Sequence, residues 1–240
     1  MKKLFFGMFF ALFVSQSAFA ETVRMGTEGA YPPYNYIDDD GNLAGFEIIL
    51  GNELCNRAGL KCEWVKNDWD SIIPNLVSGN YDTIIAGMSI TEERDKVIDF
   101  TQNYMLPRPS AYVAASDAAD LNGVIAAQTA TLQSGYIAES SASLMEFATP
   151  EETVSAVIDG EADAVFADSD YLAPIVEASG GSLMFVGEKV VLGLGTGMGI
   201  RETDTELKKK FNDAISSMKA DGSLNKLLVE WFGDGMLLYD

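Results

Sequence analysis

The sequence predicts an α/β protein of two lobes, each an open sheet flanked by helices, joined by two hinge strands. Strand-like apolar runs alternate with segments of helical periodicity from residue 22 onward, which is typical of a sheet covered on both faces. The alternation stops at the stiff segment Leu106-Pro107-Arg108-Pro109 and starts again near Val124. The glycine-rich segment 193–199 does not suit a helix and favours a flexible crossing between lobes.

These interruptions divide the chain into a discontinuous unit and an inserted one. We expect residues 21–109 plus 193–240 to form the first lobe, and residues 110–192 to form the second. Crossings near 105–111 and 190–199 are the predicted hinge strands. A hinged pair of lobes can close on a ligand held between them.

The elements of the first lobe follow from apolar periodicity and turn residues. In chain order we expect strand Thr22–Gly26, an aromatic and proline-rich loop at Glu28–Tyr36, helix Phe46–Ala58, strand Lys61–Val65, a helix from Asp68, strand Tyr81–Ala86, and helices Asp204–Ala220 and Ser223–Phe232. Tyr81–Ala86 is apolar without alternation, which indicates a strand buried on both faces. Thr91 is expected to cap a helix whose first turn carries Glu92 and Glu93, where the helix dipole favours acids.

The second lobe repeats the alternation of strands and helices. Its expected elements are strand Val124–Ala127, a helix from about Leu132, helix Glu151–Ile158, strand Ala164–Ala167 and helix Tyr171–Ala178. The glycines of 193–199 that follow are not succeeded by Gly-Lys-Ser/Thr, which argues against a phosphate-binding loop.

The first 20 residues, 1–20, predict a secretory signal peptide. Lys2-Lys3 gives a positive start, Leu4–Val14 an apolar core, and Ala18-Phe19-Ala20 a small-x-small cleavage site. The apolar run is too short to span a bilayer. We therefore expect cleavage after Ala20 and a periplasmic mature chain that begins at Glu21.

Composition disfavours several functions. The chain has 36 acidic and 16 basic residues and a formal net charge of −20, which disfavours nucleic acid and anionic membranes as partners and favours cationic solutes. The alternative is that the acidic surface only keeps an exported protein soluble. There is no histidine, so a Ser-His-Asp triad is impossible and a His/Cys metal site is not expected. We predict no metal and no cofactor.

The two cysteines, Cys55 and Cys62, are expected to form a disulfide because the chain is exported to an oxidising compartment. Cys55 falls near the end of a helical pattern and Cys62 begins the next strand, so the bond would join a helix to a strand. The spacing is not Cys-x-x-Cys, and we interpret the pair as structural.

Polar and aromatic residues lie where predicted strands end or helices begin, the edge at which α/β sheets bind ligands. In a two-lobed protein they face one cleft: Glu28, Tyr31, Trp69, Ser89, Arg94, Thr131 and Asp168. A planar guanidinium such as Arg94 suits bidentate capture of a carboxylate.

Each of these residues also has an ordinary structural explanation. The alternatives are a surface ion pair for Arg94, a core aromatic for Trp69, an exposed acid for Glu28, a helix cap for Asp168 and a turn hydroxyl for Ser89.

The chain resembles bacterial periplasmic polar-amino-acid-binding proteins of ABC importers, with arginine and lysine/arginine/ornithine binders as the closest type. The segments that carry the resemblance are GTEGAYPPYN, GFEIILGNELCNRAGLKC, NDWDSIIPNL, YDTIIAGMSITEER, ADAVFAD and GLGTGMGI. The likeness covers nearly all of the mature chain, and IIAGMSITEER is its most specific part.

The resemblance implies how the ends of an amino acid would be held. Arg94 would bind the α-carboxylate, with the backbone N–H groups of Gly87 and Thr131. Asp168 and Ser89, with the Gly87 carbonyl, would bind the α-ammonium. A buried zwitterion needs a partner of opposite charge at each end. Arg94 and Asp168 come from opposite lobes, so binding would favour the closed state.

The resemblance also implies the contacts of the ligand side chain. Tyr31 and Trp69 would sandwich it, and Glu28 would meet its distal end. The residues expected beside the ligand stem are Ala86, Gly87 and Met88. The chain departs from the family where some relatives have serines at positions 86 and 87, and where Gln128-Thr129-Ala130-Thr131 replaces Gln-Gly-Ser/Thr-Thr.

The expected function is capture of L-arginine, with lysine and ornithine weaker, by a monomer that delivers it to an ABC permease in the inner membrane. Met88, Met105 and the small pair Ala86-Gly87 leave glutamine, histidine or an arginine-derived opine as alternative ligands. An enzyme resembling cyclohexadienyl or arogenate dehydratases, with Glu28 as proton donor, is an alternative of another class. A sensory module is a third, although the short tail after the last helix favours a freestanding protein.

Overall fold

A computed structural model describes residues 22–240 as two five-stranded sheets flanked by helices, which confirms the predicted α/β class. The predicted signal peptide, residues 1–20, lies outside the described residues. Within residues 22–240, no helix is long and apolar enough to cross a membrane.

The secondary structure of residues 22–240 comprises short strands and seven α-helices. The strands are β1 (Thr22–Thr27), β2 (Ala30–Tyr31), β3 (Asn35–Ile37), β4 (Leu43–Ala44), β5 (Lys61–Lys66), β6 (Thr83–Ile84), β7 (Asp99–Phe100), β8 (Pro109–Ala114), β9 (Val124–Gln128), β10 (Ser143–Phe147), β11 (Ala164–Asp168), β12 (Met184–Val191) and β13 (Gly199–Ile200). The helices are α1 (Phe46–Arg57), α2 (Ile72–Val77), α3 (Leu132–Ala138), α4 (Pro150–Ile158), α5 (Ser169–Ala178), α6 (Thr205–Ala220) and α7 (Ser223–Phe232).

The two large sheets share one arrangement. Their strand orders are β5-β1-β6-β13-β7 and β10-β9-β11-β8-β12, and they form the first and second lobes respectively. In each sheet the first three neighbours are parallel, and the pairings beyond them are antiparallel. The carboxyl ends of β1, β6, β9 and β11 therefore form the sheet edges at which ligands bind in this class of fold.

Two crossing segments connect the lobes and lie side by side. The Thr196 N–H donates to the Met105 carbonyl at 2.9 Å, and Thr196 also forms a bridge with Ser89. The Ile90 N–H donates to the Gly195 carbonyl at 2.8 Å, so the segment that follows β6 is fastened to one crossing. The residue boundaries given above for the two lobes stay predictions.

Residues 28–36, predicted as a loop, contain two short strands instead. β2 pairs antiparallel with β3, and β3 with β4, in a small sheet beside α1. Pro32 and Pro33 form the turn between Tyr31 and Asn35, which are paired across it. The proline-rich composition therefore marked the turn of a hairpin rather than an irregular segment.

The segment around Arg94 departs from its prediction in two ways. Only Thr83–Ile84 pairs as a strand, although Tyr81–Ala86 is largely buried. After Thr91 there is a single 3₁₀ turn, Arg94–Lys96, and not the predicted helix. The Thr91 hydroxyl accepts the Arg94 N–H at 3.1 Å, so its capping role is limited to this turn. β7 follows within a few residues, which leaves no room for a stable helix.

The helices of the second lobe and the C-terminal helices agree with the predictions to within about two residues. In α4, Thr149 and Glu152 form a capping box and Pro150 occupies the first turn, where its missing N–H costs nothing. The strands β10 and β12 were not predicted. Both are edge strands of mixed polarity, so neither has the apolar run that marks a buried strand.

Helix α1 is tied to β5 by the Cys55–Cys62 disulfide, which confirms the predicted pairing, with Cα atoms 6.2 Å apart. Cys55 also belongs to the core that α1, α6 and α7 build against the first sheet, where it lies beside Leu54, Ile215 and Leu228. The bond therefore joins the first-lobe core to its edge strand.

Removal of the disulfide in the double variant Cys55→Ala/Cys62→Ala is expected to lower the free energy of unfolding by about 2–3 kcal/mol, because the bond restricts the unfolded chain. Urea unfolding at neutral pH measures this effect. The matched control is the wild-type protein unfolded with and without dithiothreitol, which should show the same difference. An unchanged urea midpoint would contradict a structural role for the bond.

Candidate ligand-binding site

A cavity lies between the lobes and is lined by residues of both. Its lining residues are Glu28, Tyr31, Trp69, Ala86, Gly87, Ser89, Arg94, Gln128, Thr131, Leu132, Gln133 and Asp168. The structure therefore brings together every residue predicted for the cleft except Met88. Most of them follow the carboxyl ends of β1, β6, β9 and β11.

Met88 packs behind the cavity. Its side chain is 0% exposed and belongs to a core cluster with Trp69, Ile72 and Leu76. Gly87 and Ser89, on either side of Met88, line the cavity, whereas Met88 faces the core. The Met88 side chain therefore does not line the cavity, and the assignment of Met88 to the ligand site stays a prediction.

Asp168 presents its carboxylate to the cavity from the end of β11. The carboxylate accepts hydrogen bonds from the Tyr31 hydroxyl at 2.9 Å, the Gln133 amide at 2.9 Å and the Ser110 hydroxyl at 3.4 Å. It accepts none from the N-terminus of α5, so the helix-cap alternative is wrong. Burial raises the pKa of Asp168 to about 6, and the Asp170 charge acts in the same direction, whereas the Tyr31 hydrogen bond opposes the rise.

Arg94 faces the cavity without an acidic partner. Its guanidinium donates to the carbonyls of Ser89 at 3.0 Å and Ala130 at 3.2 Å, and lies 5.3 Å from the centre of the Trp69 ring. Among residues 22–240 no carboxylate oxygen lies within 4.0 Å of it, so the surface ion-pair alternative is wrong. Desolvation lowers the pKa of Arg94 to about 10. The Arg94 guanidinium is therefore a desolvated cation with further N–H donors available for a ligand.

The Ala130 carbonyl links the lobes beside Arg94. It accepts from the Arg94 guanidinium and, at 3.3 Å, from the Trp69 indole N–H. Ala130 has a φ of 56°, a left-handed conformation that a residue with a Cβ rarely adopts. This position lies in the segment that departs from the family pattern, and the strained backbone turns its carbonyl toward the first lobe.

Trp69 is both a core and a cavity residue. It is 8% exposed and packs against Ile72 and Leu76, as the core alternative predicted, while part of its ring lines the cavity. On the other side, Tyr31 stacks on Tyr171 with ring centroids 4.4 Å apart. Both aromatic side chains are thus held by neighbours before any ligand is present.

Glu28 is a buried acid and not the exposed one of the alternative explanation, since it is only 5% exposed. It accepts a hydrogen bond of 2.6 Å from the Gln128 amide, which comes from the second lobe. Burial raises the pKa of Glu28 to about 7, against the opposing effects of the Gln128 hydrogen bond and the Lys66 charge. No cation of residues 22–240 forms an ion pair with it at 4.0 Å or less.

The backbone donors of the site differ from those implied by the resemblance. The Gly87 N–H donates at 2.7 Å to the Glu47 carboxylate, which also accepts from Asn35 and from the Tyr104 hydroxyl. It is therefore engaged inside the protein, and its assignment to a ligand carboxylate was wrong. The buried Glu47, in an otherwise apolar stretch of α1, instead holds the Gly87 backbone at its positive φ of 62°.

The hydroxyl groups of the site have different surroundings. The Thr131 hydroxyl accepts the Ser134 N–H at 3.1 Å and caps α3, as its position before that helix predicts. The Ser89 side chain forms no hydrogen bond within the described part of the chain, so it does not serve as a turn hydroxyl. It lines the cavity next to the Arg94 subsite.

Three cavity residues were missed by sequence reasoning: Gln128, Leu132 and Gln133. Gln128 binds the Glu28 carboxylate, and Gln133 binds that of Asp168. Both follow or end β9, the same positional signal that identified Thr131. Their neutral amides did not distinguish them from ordinary surface residues.

The charged groups of the cavity are two acids and one base that are not paired with one another. The site therefore carries a negative excess when all three are ionised, which suits a solute bearing one anionic and two cationic groups. Within residues 22–240, no group of three or more Cys, Asp or Glu residues is arranged to hold a metal ion.

Comparison with known proteins identifies the family. Residues 23–234 match the bacterial extracellular solute-binding proteins, family 3, and the chain belongs to this family. The L-arginine-binding protein of Pseudomonas aeruginosa is 33% identical over 227 residues, covering 88% of this chain and 87% of that protein. The lysine/arginine/ornithine-binding periplasmic protein of Escherichia coli strain K12 is 32% identical over 235 residues, covering 91% and 90% respectively.

A solved structure supports the same assignment. The crystal structure of a periplasmic His/Glu/Gln/Arg/opine family-binding protein from Silicibacter pomeroyi in complex with lysine matches with a TM-score of 0.90 and 71% sequence identity. The match covers 90% of this chain and 100% of that one. The predicted two-lobed fold and the predicted class of solute-binding protein are thereby confirmed.

Proposed function

We propose that the protein captures a cationic amino acid by closing its lobes and delivers it to an ABC permease of the inner membrane. The observation that carries the proposal is the unpaired charge of the cavity: buried Glu28, half-buried Asp168 and a desolvated Arg94. Arg94 and Ser89 belong to the first lobe and Asp168 to the second. A zwitterion whose carboxylate binds Arg94 and whose ammonium binds Asp168 would stabilise the closed arrangement, because only that arrangement offers both partners.

Within this class we propose L-arginine as the preferred ligand, with lysine and ornithine weaker. The planar guanidinium of arginine matches the aromatic surfaces of Tyr31 and Trp69, a contact worth about 0.5–2 kcal/mol. The names of relatives that bind arginine and lysine support this range of ligands. Isothermal titration calorimetry with the twenty amino acids and several opines tests it; preference for a neutral or acidic amino acid would overturn it.

Substitution Glu28→Gln is expected to weaken arginine and lysine binding by about 1–3 kcal/mol, roughly tenfold to a hundredfold, because a buried carboxylate no longer meets the cationic end. Binding of glutamine or citrulline should be retained or improved. Glu63→Gln, which makes the same change on exposed β5, is the matched control. Calorimetric affinities that leave the order of ligands unchanged would remove Glu28 from the distal subsite.

We also propose that the protein binds without catalysis. One observation favours an enzyme instead: a buried carboxyl whose pKa of about 7 suits a proton donor at neutral pH. Against this, Arg94 and Asp168 supply a complete clamp for an unreacting α-amino acid. Incubation with prephenate and arogenate, followed by chromatography for aromatic products, distinguishes the two proposals.

The cellular setting of the proposal rests on residues 1–20 and on family membership. A signal cleaved after Ala20 would release a periplasmic protein, and mass spectrometry of material secreted by an expressing cell identifies that terminus. We propose a monomer as the working form, because one chain supplies both sides of the cavity. Sedimentation equilibrium with and without arginine checks it.

A further inference from the structure

Outside the cavity, an acidic residue and an arginine form a largely buried bidentate pair. Arg108 donates from Nε and Nη2 to the two carboxylate oxygens of Asp170, each at 2.8 Å. Their side chains are only 18% and 14% exposed. Arg108 belongs to the crossing segment directly before β8, and Asp170 to the first turn of α5. The pair therefore fixes the start of α5 to the junction of the lobes.

Asp170 has a second partner, Tyr34, from the first lobe. The Tyr34 hydroxyl donates to the carboxylate oxygen that also accepts from Arg108 Nε, at 3.3 Å. Tyr34 is itself buried, with its ring 5.1 Å from that of Phe232 and 5.6 Å from that of Tyr31. This bond parallels the one from Tyr31 to Asp168, two residues earlier in the chain.

The pair also determines the electrostatic surroundings of Asp168. Asp170 is an acid close enough to raise the pKa of Asp168, and Arg108 is the cation that faces Asp170. The titratable and charged groups that act on Asp168 from the elements packed around it are Tyr31, Tyr34, Arg94, Arg108 and Asp170. Without Arg108, Asp168 would face a second acid that is not neutralised.

We propose that Arg108 and Asp170 act as a positioning pair for Asp168: the pair holds the start of α5, and Arg108 offsets the Asp170 charge that would otherwise oppose ionisation of Asp168, the acceptor of the ligand α-ammonium. The inference rests on the proposed function. Neither Arg108 nor Asp170 lines the cavity, so both act through Asp168. Because every α-amino acid carries the ammonium, the pair affects all ligands by the same factor and does not select among them.

The test combines two measurements on the full-length mature protein. The first is the titration of the Asp168 carboxyl by ¹³C NMR without ligand, and the second is the affinity for arginine and lysine by calorimetry. Arg108→Met is expected to raise the pKa of Asp168 and to weaken both ligands at least tenfold, by equal factors. Asp170→Asn is expected to lower that pKa, because Arg108 then faces Asp168 without its partner.

The double variant Arg108→Met/Asp170→Asn removes both charges and is expected to return the Asp168 titration close to that of the wild type. Asp170→Asn keeps the test available if Arg108→Met fails to fold, because the asparagine can still accept a hydrogen bond from Arg108 and the Asp168 pKa is then expected to fall. Lys189→Met, which removes an exposed cation of the same lobe, is the control.

A purely structural pair would lower thermal stability without moving the Asp168 titration in either single variant, Arg108→Met or Asp170→Asn, and that result overturns the proposal. Unequal losses for arginine and lysine would also overturn it. If the wild type binds no cationic amino acid, the proposed function fails. The NMR titration of the ligand-free variants still decides the positioning role separately.

Discussion

Replacement of Arg94 by alanine is expected to abolish measurable amino-acid binding while the fold stays intact. The guanidinium makes only backbone hydrogen bonds and a ring contact inside the protein, so its loss breaks no ion pair of the described chain. A ligand carboxylate left buried without its partner costs about 3–5 kcal/mol. The affinity should therefore fall by at least about a hundredfold, as measured by calorimetry.

The control for this variant is Lys209→Ala, which removes an exposed cation on α6. Circular dichroism and thermal unfolding show whether the fold is preserved. Asp168→Asn is expected to give a loss of similar size at the other end of the zwitterion, with Asp159→Asn on the surface as its control. Affinity close to that of the wild type in Arg94→Ala or Asp168→Asn would refute the clamp.

Acidification from pH 8 to pH 5 is expected to weaken binding of arginine by roughly a thousandfold. The pKa values of Glu28 and Asp168 are raised to about 7 and about 6 in the ligand-free protein, so both carboxyls take up protons within this range. The cationic groups of the ligand need the ionised forms. Affinity is therefore full above these values and falls about tenfold per pH unit for each group below them.

The sign is opposite for the stability of the ligand-free protein. A carboxyl whose pKa is raised by folding favours the folded state at low pH, and this contribution is lost as the pH rises through the folded-state value. Calorimetry at pH 8 and pH 5, in buffers of different ionisation enthalpy, measures both the affinity and the protons released. Glu28→Gln should remove the larger part of the pH dependence. A flat profile in the wild type would contradict the buried ionised pair.

The charged centre of the site was predictable from sequence because charge and position coincide there. Glu28 follows β1 directly, Asp168 ends β11, and Arg94 lies in the segment after β6, and a charged residue at such a sheet edge is conspicuous. Gln128 and Gln133 hold two of these groups, yet glutamine is as common on surfaces as in clefts. Their roles depend on bonds between separate strands, which periodicity does not reveal.

The errors have equally specific causes. The resemblance assigned the Gly87 N–H to a ligand, whereas in the structure it binds Glu47, which lies 40 positions earlier in the chain and gave no local signal. Thr91 is a residue type that often caps helices, but β7 begins too soon after it for a helix to form. The edge strands β10 and β12 lack the apolar signature of the central strands. In each case a tertiary contact or a short connection overrode the local pattern.

The unbalanced charge of the cavity also bears on what the protein does between cargoes. Bringing the lobes together around an empty cavity would strip water from two acids that form no ion pair within residues 22–240, and the raised pKa values of Glu28 and Asp168 express that penalty. The ligand-free protein is thus disfavoured from adopting the closed arrangement of the ligand-bound form. In the proposed function, the same carboxylates would disfavour closure of the protein around an empty cavity.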